Sequence, residues 1–211
     1  MPSFDNFLII GVDLAWSGDN YSTYSVIDSK LNLLQLSKFK SVEEFLSLLR
    51  SYQSQILKIL IDAPLEIRNK NGIRSCDREF LKRGIPILPV NEQILKQKYS
   101  KFPGLKLRNG LEKIGIKYCG KVEENAFYEV YVYGILKIVY KNFPAYKKRR
   151  EFIGHMENLL RDYGFKLPYH LEDHHQVDAI VSTIPWFEFA RKNEQFSLYN
   201  NEGYCLFVPS G

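Results

Sequence analysis

Four acidic residues, far apart in a chain of 211 residues, stand where a charge is hard to accommodate: Asp13, Asp62, Glu129 and Asp178. Asp13 closes the run Ile9-Ile10-Gly11-Val12, and Asp62 closes Ile59-Leu60-Ile61 just ahead of Ala63-Pro64. Glu129 lies within Phe127-Tyr128-Glu129-Val130-Tyr131, and Asp178 follows Gln176-Val177 at the expected start of a helix. A carboxylate set in a buried strand is destabilising unless compensated, and a divalent cation compensates several at once. Crowded carboxylates also repel, which raises their proton affinity until a cation binds. Mg²⁺ or Mn²⁺ suits such a set, because oxygen ligands leave positions open for water or a phosphate. Two such ions ~4 Å apart hold a phosphodiester, one activating water and the other stabilising the leaving oxygen. The pattern points to metal-dependent chemistry on phosphates, with Asp13, Asp62 and Asp178 as metal ligands and Glu129 as a fourth catalytic acid.

The elements that must position these groups follow from hydrophobic patterning. Residues 7–14 are an almost continuous apolar run, as in a central strand buried on both faces. Two more strands, 21–27 and 31–39, are separated by the polar turn Asp28-Ser29-Lys30 and complete an antiparallel meander. Ser41-Val42-Glu43-Glu44 has the form of a capping box, and Phe45, Leu48, Leu49 and Tyr52 continue it, predicting a helix over 41–54. A strand over 56–61 is stopped by Asp62-Ala63-Pro64. A helix is expected over 76–83, then an extended connector over 85–89 that holds two prolines. Next come a strand over 126–132, helices over 134–141 and 147–163, and a last helix from Asp178 to Lys192 kinked at Pro185. Short strands over 197–199 and 204–208 close the chain. This order predicts an α/β fold with a mixed sheet. Adjacent central strands are only ~4.8 Å apart, so Asp13 and Asp62 share a metal there. Asp178 joins them if the first turn of the last helix packs over the same edge.

The net charge of +5, from 29 Lys plus Arg against 24 Asp plus Glu, permits an anionic partner without requiring one. Its location says more. Residues 96–121 carry eight basic side chains against the single acid Glu112, and Lys147-Lys148-Arg149-Arg150 forms a second cluster. Both are expected to meet the backbone of a nucleic acid. Cys76, Cys119 and Cys205 are odd in number and lack any CxxC or Cys/His grouping, so neither a disulfide framework nor a zinc site is expected. A reducing, cytoplasmic location is the matching expectation. The first residues carry no basic region, and no apolar stretch approaches the ~18–20 residues of a bilayer helix, so neither a signal peptide nor a membrane span is expected.

The segments Gly11-Val12-Asp13, Ile61-Asp62-Ala63-Pro64-Leu65, Arg74-Ser75-Cys76-Asp77-Arg78, Tyr128-Glu129-Val130-Tyr131, Tyr146-Lys147, Val177-Asp178-Ala179 and Glu202-Gly203-Tyr204-Cys205-Leu206-Phe207-Val208-Pro209 occur in this order. Together they resemble the domain-of-unknown-function family 429, described as predicted nucleases of RNase H-like fold, and the resemblance covers nearly the whole chain. It implies an RNase H-like mixed five-stranded sheet, three antiparallel strands and then parallel ones, flanked by helices. A single domain over 1–211 would carry a basic helical and loop insertion around 66–121. The implied acidic site is built from strand 1, strand 4 and the final helix, positions matched by Asp13, Asp62 and Asp178, with Glu129 matching a family glutamate. Arg74 matches a position that would hold a phosphate, and Lys147, Lys148 and Arg149 extend the phosphate-binding set. The chain departs from the pattern at Val132, where members commonly place proline after Glu-x-Tyr. The implied activity is that of a Mg²⁺- or Mn²⁺-dependent nuclease cutting DNA, RNA or a branched nucleic acid. RuvC-like resolvases use the fold as dimers, so a homodimer is compatible with it.

Each assignment has a plainer counterpart. Asp13 can bond backbone amides, Asp62 can make an Asx turn, Glu129 can sit on an edge strand, and Asp178 can be a helix N-terminal acid. Arg74, Asp77 and Arg78 can be a surface ion-pair cluster, and Lys147 to Arg150 a solvated helix face. His174 and His175, beside Asp178, have the chemistry to protonate a leaving group or ligate metal and read rather as a solvated loop pair, and Trp16 reads as packing rather than base stacking. Two other functions compete. One is a non-catalytic nucleic-acid-binding or interaction module, with salt-sensitive binding indifferent to chelators. The other is an actin-like or sugar-kinase-like phosphotransferase, which needs glycine-rich phosphate loops that Leu14-Ala15-Trp16-Ser17-Gly18 does not supply.

Overall fold

The first apolar run forms β1 (Phe7–Asp13), followed by β2 (Ser22–Asp28) and β3 (Leu33–Phe39), in a computed structural model that describes residues 7–17, 19–52 and 54–210. The three strands make the expected antiparallel meander. α1 (Val42–Leu49) starts at the expected cap, the Ser41 hydroxyl accepting from the Glu44 amide, and β4 (Ile56–Asp62) follows. The stretch predicted as a basic insertion holds α2 (Arg78–Lys82), α3 (Glu92–Lys98), α4 (Gly104–Lys113) and a two-residue strand, β5 (Lys117–Tyr118). β6 (Ala126–Glu129) is shorter than predicted, because Val132 already opens α5 (Val132–Val139). α6 (Ile153–Tyr163) also begins later than expected, the basic residues before it lying in a turn and a short 3-10 segment.

The last helix departs from expectation in two ways. α7 (His174–Val181) starts four residues before Asp178, with the Asp173 side chain capping it through the Gln176 amide. The helix then breaks, and α8 (Ile184–Ala190) starts afresh with Pro185 in its first turn, where proline is tolerated, so no kink is needed. β7 (Phe196–Asn201) and β8 (Tyr204–Pro209) close the chain as an antiparallel pair.

The sheet runs β3-β2-β1-β4-β6-β8-β7, with β5 beside β6, and its antiparallel then parallel strands are consistent with an RNase H-like topology. It has eight strands rather than five. The five expected strands are β3 to β6 of this order; the closing pair docks on them, and β5 shares the outer edge of β6 with β8. Cys119, just after β5, and Cys205, in β8, are disulfide-bonded across 86 residues of chain, a pairing that the expectation of no disulfide framework did not include. Only Cys76 is free, and it is buried. Among the described residues, no helix is long and apolar enough to cross a membrane.

Both faces of β1 and β4 are covered, which is why their runs are apolar without alternation. Ile9 and Leu60 pack toward Ile135 of α5, Leu160 of α6 and Ile180 of α7, whereas Ile10, Val12, Ile59 and Ile61 pack toward α1 and α4 through Phe45, Leu49, Leu107 and Leu111. The approach of α7 to β1 is very close. A Cβ on Gly11 would lie 1.9 Å from the Ala179 carbonyl oxygen, and the Ser25 hydroxyl donates to that same oxygen at 2.8 Å. Gly11 therefore sets the height at which α7, and Asp178 with it, rides over the sheet.

Candidate metal centre

Asp13 and Asp62 end neighbouring parallel strands in register, so their side chains emerge on the same face, the one covered by α7. α7 brings Asp178 over that edge. One carboxylate oxygen from each of the three lies within 4.8 Å of the others, Asp178 buried and the other two partly buried. The three predicted metal ligands therefore converge.

Each carboxylate is anchored by one of its oxygens to a different protein group. His175 Nδ1 lies 2.6 Å from Asp13 Oδ2, the Val132 amide donates to Asp62 Oδ1 at 3.1 Å, and the Tyr146 hydroxyl donates to Asp178 Oδ1. That leaves Asp13 Oδ1 and Asp62 Oδ2 for a shared ligand, whereas Asp178 Oδ2 faces Lys147 Nζ at 2.6 Å. The hydroxyl of Thr23, which stands across the ladder from Asp13, is buried without a hydrogen bond. An all-oxygen set with anchored ligands fits Mg²⁺ or Mn²⁺, which would take the place of the Lys147 ammonium at Asp178.

The electrostatics carry the same message. Burial lifts Asp62 to about 8, with Lys147 pulling it down and Asp13 and Asp178 pushing it further up. Burial likewise lifts Asp178 to about 6 against the opposing pull of Lys147. Burial disfavours the Lys147 ammonium, but the carboxylates of Asp178, Asp62 and Asp13 outweigh it and hold the charge on. His175 is raised by its hydrogen bond to Asp13, whereas burial lowers His174. Lys147 and His175 are thus the cationic partners that the three acidic groups meet within the protein.

Glu129 does not join them. It pairs in register with Ile61, one residue before Asp62, and alternation along the strand sends its side chain to the opposite face. There it accepts from the Leu65 amide at 2.8 Å and from both terminal nitrogens of Arg74. Arg74 also bonds Asp77 through Nε at 2.9 Å and Nη2 at 2.8 Å, and Nη1 reaches the Glu66 carbonyl at 3.2 Å. All five guanidinium donors are engaged, in a side chain only 3% exposed. Arg74 is therefore neither a phosphate ligand nor part of a surface cluster: it is the buried counter-charge of Glu129 and Asp77.

Lys148 and Arg149 are exposed and, with Lys147, Arg150 and His174, border an open groove of about 440 Å³ beside the centre. The basic stretch of 96–121 is less free than its sequence implies. Lys96, Lys101, Lys106, Arg108 and Lys117 each sit against an acid: Glu92, Asp19, Glu43, Glu66 and Glu124.

The roles of three groups at the centre are set by the structure rather than by the chain alone. His174 and His175 form the first turn of α7 rather than a solvated loop, and the three-residue spacing from His175 to Asp178 is the signal that they share a helix face. Tyr146 supplies the hydroxyl that orients Asp178, and only its place beside Lys147 hints at this. Val132 orients Asp62 through its backbone N–H, which the proline of the resembled family would lack. Comparison of the chain with protein-family models, with curated proteins and with solved structures finds no match in any of the three.

Proposed function

We propose that the chain is a Mg²⁺- or Mn²⁺-dependent nuclease that hydrolyses nucleic-acid phosphodiesters at Asp13, Asp62 and Asp178. One observation carries the reading: three carboxylates from β1, β4 and α7, each held by a protein donor, bring oxygens within 4.8 Å of one another. Ions held there would supply the activation of water and the neutralisation of the leaving oxygen. The chain's own groups do the positioning. His175, the Val132 amide and Tyr146 hold the three aspartates, and outer partners of this kind are worth roughly 10–100-fold in metal affinity or activity. Lys147, with a side chain 47% exposed, balances part of the charge and has room to turn toward a phosphate. Lys148 and Arg149 offer charges to the strand backbone along the neighbouring groove.

A second reading is a nucleic-acid-binding module without catalysis, favoured by the Lys147 ammonium occupying the place of a cation beside Asp178. The test is cleavage of labelled single-stranded, duplex and branched DNA and of RNA, with Mg²⁺ or Mn²⁺ and with a chelator. Metal-dependent cutting that disappears in Asp13→Asn and in Asp62→Asn, both still folded by circular dichroism, is the expected result. Undiminished cutting by the double variant would exclude this centre, and chelator-insensitive binding without cutting would establish the second reading.

A further inference from the structure

The segments that follow β1, β4 and β6 enclose a cavity of about 210 Å³ together with the connector around 87–90. Ligand crevices of open α/β sheets lie at these carboxyl ends of the strands. Its walls are apolar and aromatic: Trp16 after β1, Pro64 after β4, Leu88 and Val90 in the connector, and Tyr131 after β6. Asp62 and Lys147 line it too, so the cavity opens onto the metal centre.

Size and chemistry narrow the occupant. Sites for drug-sized ligands run to roughly 300–1,000 Å³, so this cavity has room for one ring system and not for a duplex. Trp16 packs against Tyr99 and Phe102, with ring centres 5.0 and 5.3 Å away, and borders the cavity, which puts a held aromatic ring in its wall. Leu88 is 70% exposed at the mouth, an apolar side chain left in water. Arg74, Asp77 and Glu129 border the cavity as a mutually satisfied set, so their charges are met by one another, and Asp62 and Lys147 supply its polar edge toward the metal centre. The remaining wall offers apolar contact, which suits the face of an aromatic ring better than a phosphate.

We propose that this cavity is a base-binding subsite that takes one unstacked nucleobase of the strand while a phosphate of that strand lies at Asp13, Asp62 and Asp178. Only the phosphate end rests on the nuclease reading; the preference for a base stands on the cavity itself. The substrate class is then a single strand, or a strand with an unpaired or extruded nucleotide, since an intact duplex must first give up a base.

The test compares a short single-stranded oligonucleotide with an abasic strand of equal length, by fluorescence anisotropy in Ca²⁺ and by cutting in Mn²⁺. The intact strand is expected to bind at least about fivefold more tightly, the low end of what one base stacked on an aromatic ring contributes. Leu88→Glu should remove most of that ratio; the exposed position spares the fold, and any general repulsion of the backbone cancels between the two strands. Trp16→Leu should act in the same direction. Equal binding of the two strands, a ratio unchanged in Leu88→Glu, or no binding of either would overturn the subsite. Base-selective binding without cutting would keep the subsite and remove the nuclease reading. Equal cutting of both strands would do the reverse.

Discussion

Two clusters of buried charge stand at the same edge of the sheet, on opposite faces. Arg74, Asp77 and Glu129 form a closed set in which all five guanidinium donors meet acceptors, four of those bonds running to carboxylate oxygens. Asp13, Asp62, Asp178 and Lys147 form an open set, each aspartate anchored by one oxygen and with the half-exposed Lys147 at the second oxygen of Asp178. Asp13, Asp62 and Glu129 close apolar strands, Asp77 precedes α2 and Asp178 lies within α7, and residue type does not tell the two clusters apart. What separates them is whether the demand for hydrogen bonds and counter-charge is met within the protein.

The largest expected effect separates the clusters by stability. Arg74→Met leaves Glu129 and Asp77 buried without their cation, and losses of about 3–5 kcal/mol follow when one partner of a buried ion pair is removed. Asp178→Asn keeps the volume, relieves repulsion from Asp13 and Asp62, and retains an oxygen for the Tyr146 hydroxyl. It removes the ion pair to Lys147, whose side chain is 47% exposed and can turn to water, so its stability should stay within about 1 kcal/mol of the parent. Urea unfolding of the two variants measures both. Equal losses would mean that the open cluster is a structural network like the closed one.

The sequence announces Asp13 and Asp62 because each closes an apolar run, and runs of that kind make central strands whose ends must lie side by side. The meander, the capped α1 and the mixed α/β order are legible for the same reason: hydrophobic period and turn chemistry act locally. Glu129 is misread because its face depends on pairing with Ile61, and the register between distant strands is not written in either strand alone. Arg74 is misread because a basic residue among polar neighbours gives no sign that Glu129, 55 residues on, will enclose it. The start of α7 was available: Asp173 and Gln176 have the spacing of a capping box, and the Gln176 side chain does reach back to the Glu172 amide. The disulfide was not, since Cys119 and Cys205 meet only because β5 and β8 share one edge of β6.

A second, smaller effect asks whether the open cluster is completed by a cation. Free of cation, Asp62 holds its proton up to about pH 8, against an ordinary 3.8. Between those values the folded chain binds more protons than the unfolded one, so this group's contribution to stability falls as pH rises from about 4 toward 8. A bound cation meets the same three carboxylates ionised and opposes that fall. At a hundredfold excess over its dissociation constant, Mn²⁺ should therefore add about 2.7 kcal/mol at pH 8. The gain should shrink at pH 5, where protons compete for Asp62 and Asp178. Unfolding with and without Mn²⁺ at the two pH values reads this, and Asp62→Asn should abolish the gain. A gain that survives in that variant places the cation elsewhere.

The smallest effect concerns the cations around the two clusters rather than the carboxylates. Lys148 and Arg149 are exposed beside the open cluster, Arg149 held by a 3.8 Å contact to Glu151 and by the Phe152 ring 5.7 Å away. If each meets one phosphate of a bound single strand, replacing either by glutamine should flatten the slope of log affinity against log salt by about 0.7. Arg74, enclosed by its own acids, should contribute nothing to that slope, so a folded Arg74→Lys protein should keep it whole while losing stability. Binding titrations of one oligonucleotide at several salt concentrations distinguish the three positions. A slope that responds to Arg74 and not to Lys148 or Arg149 would reverse the assignment, making the enclosed arginine the phosphate ligand and the exposed pair a solvated turn.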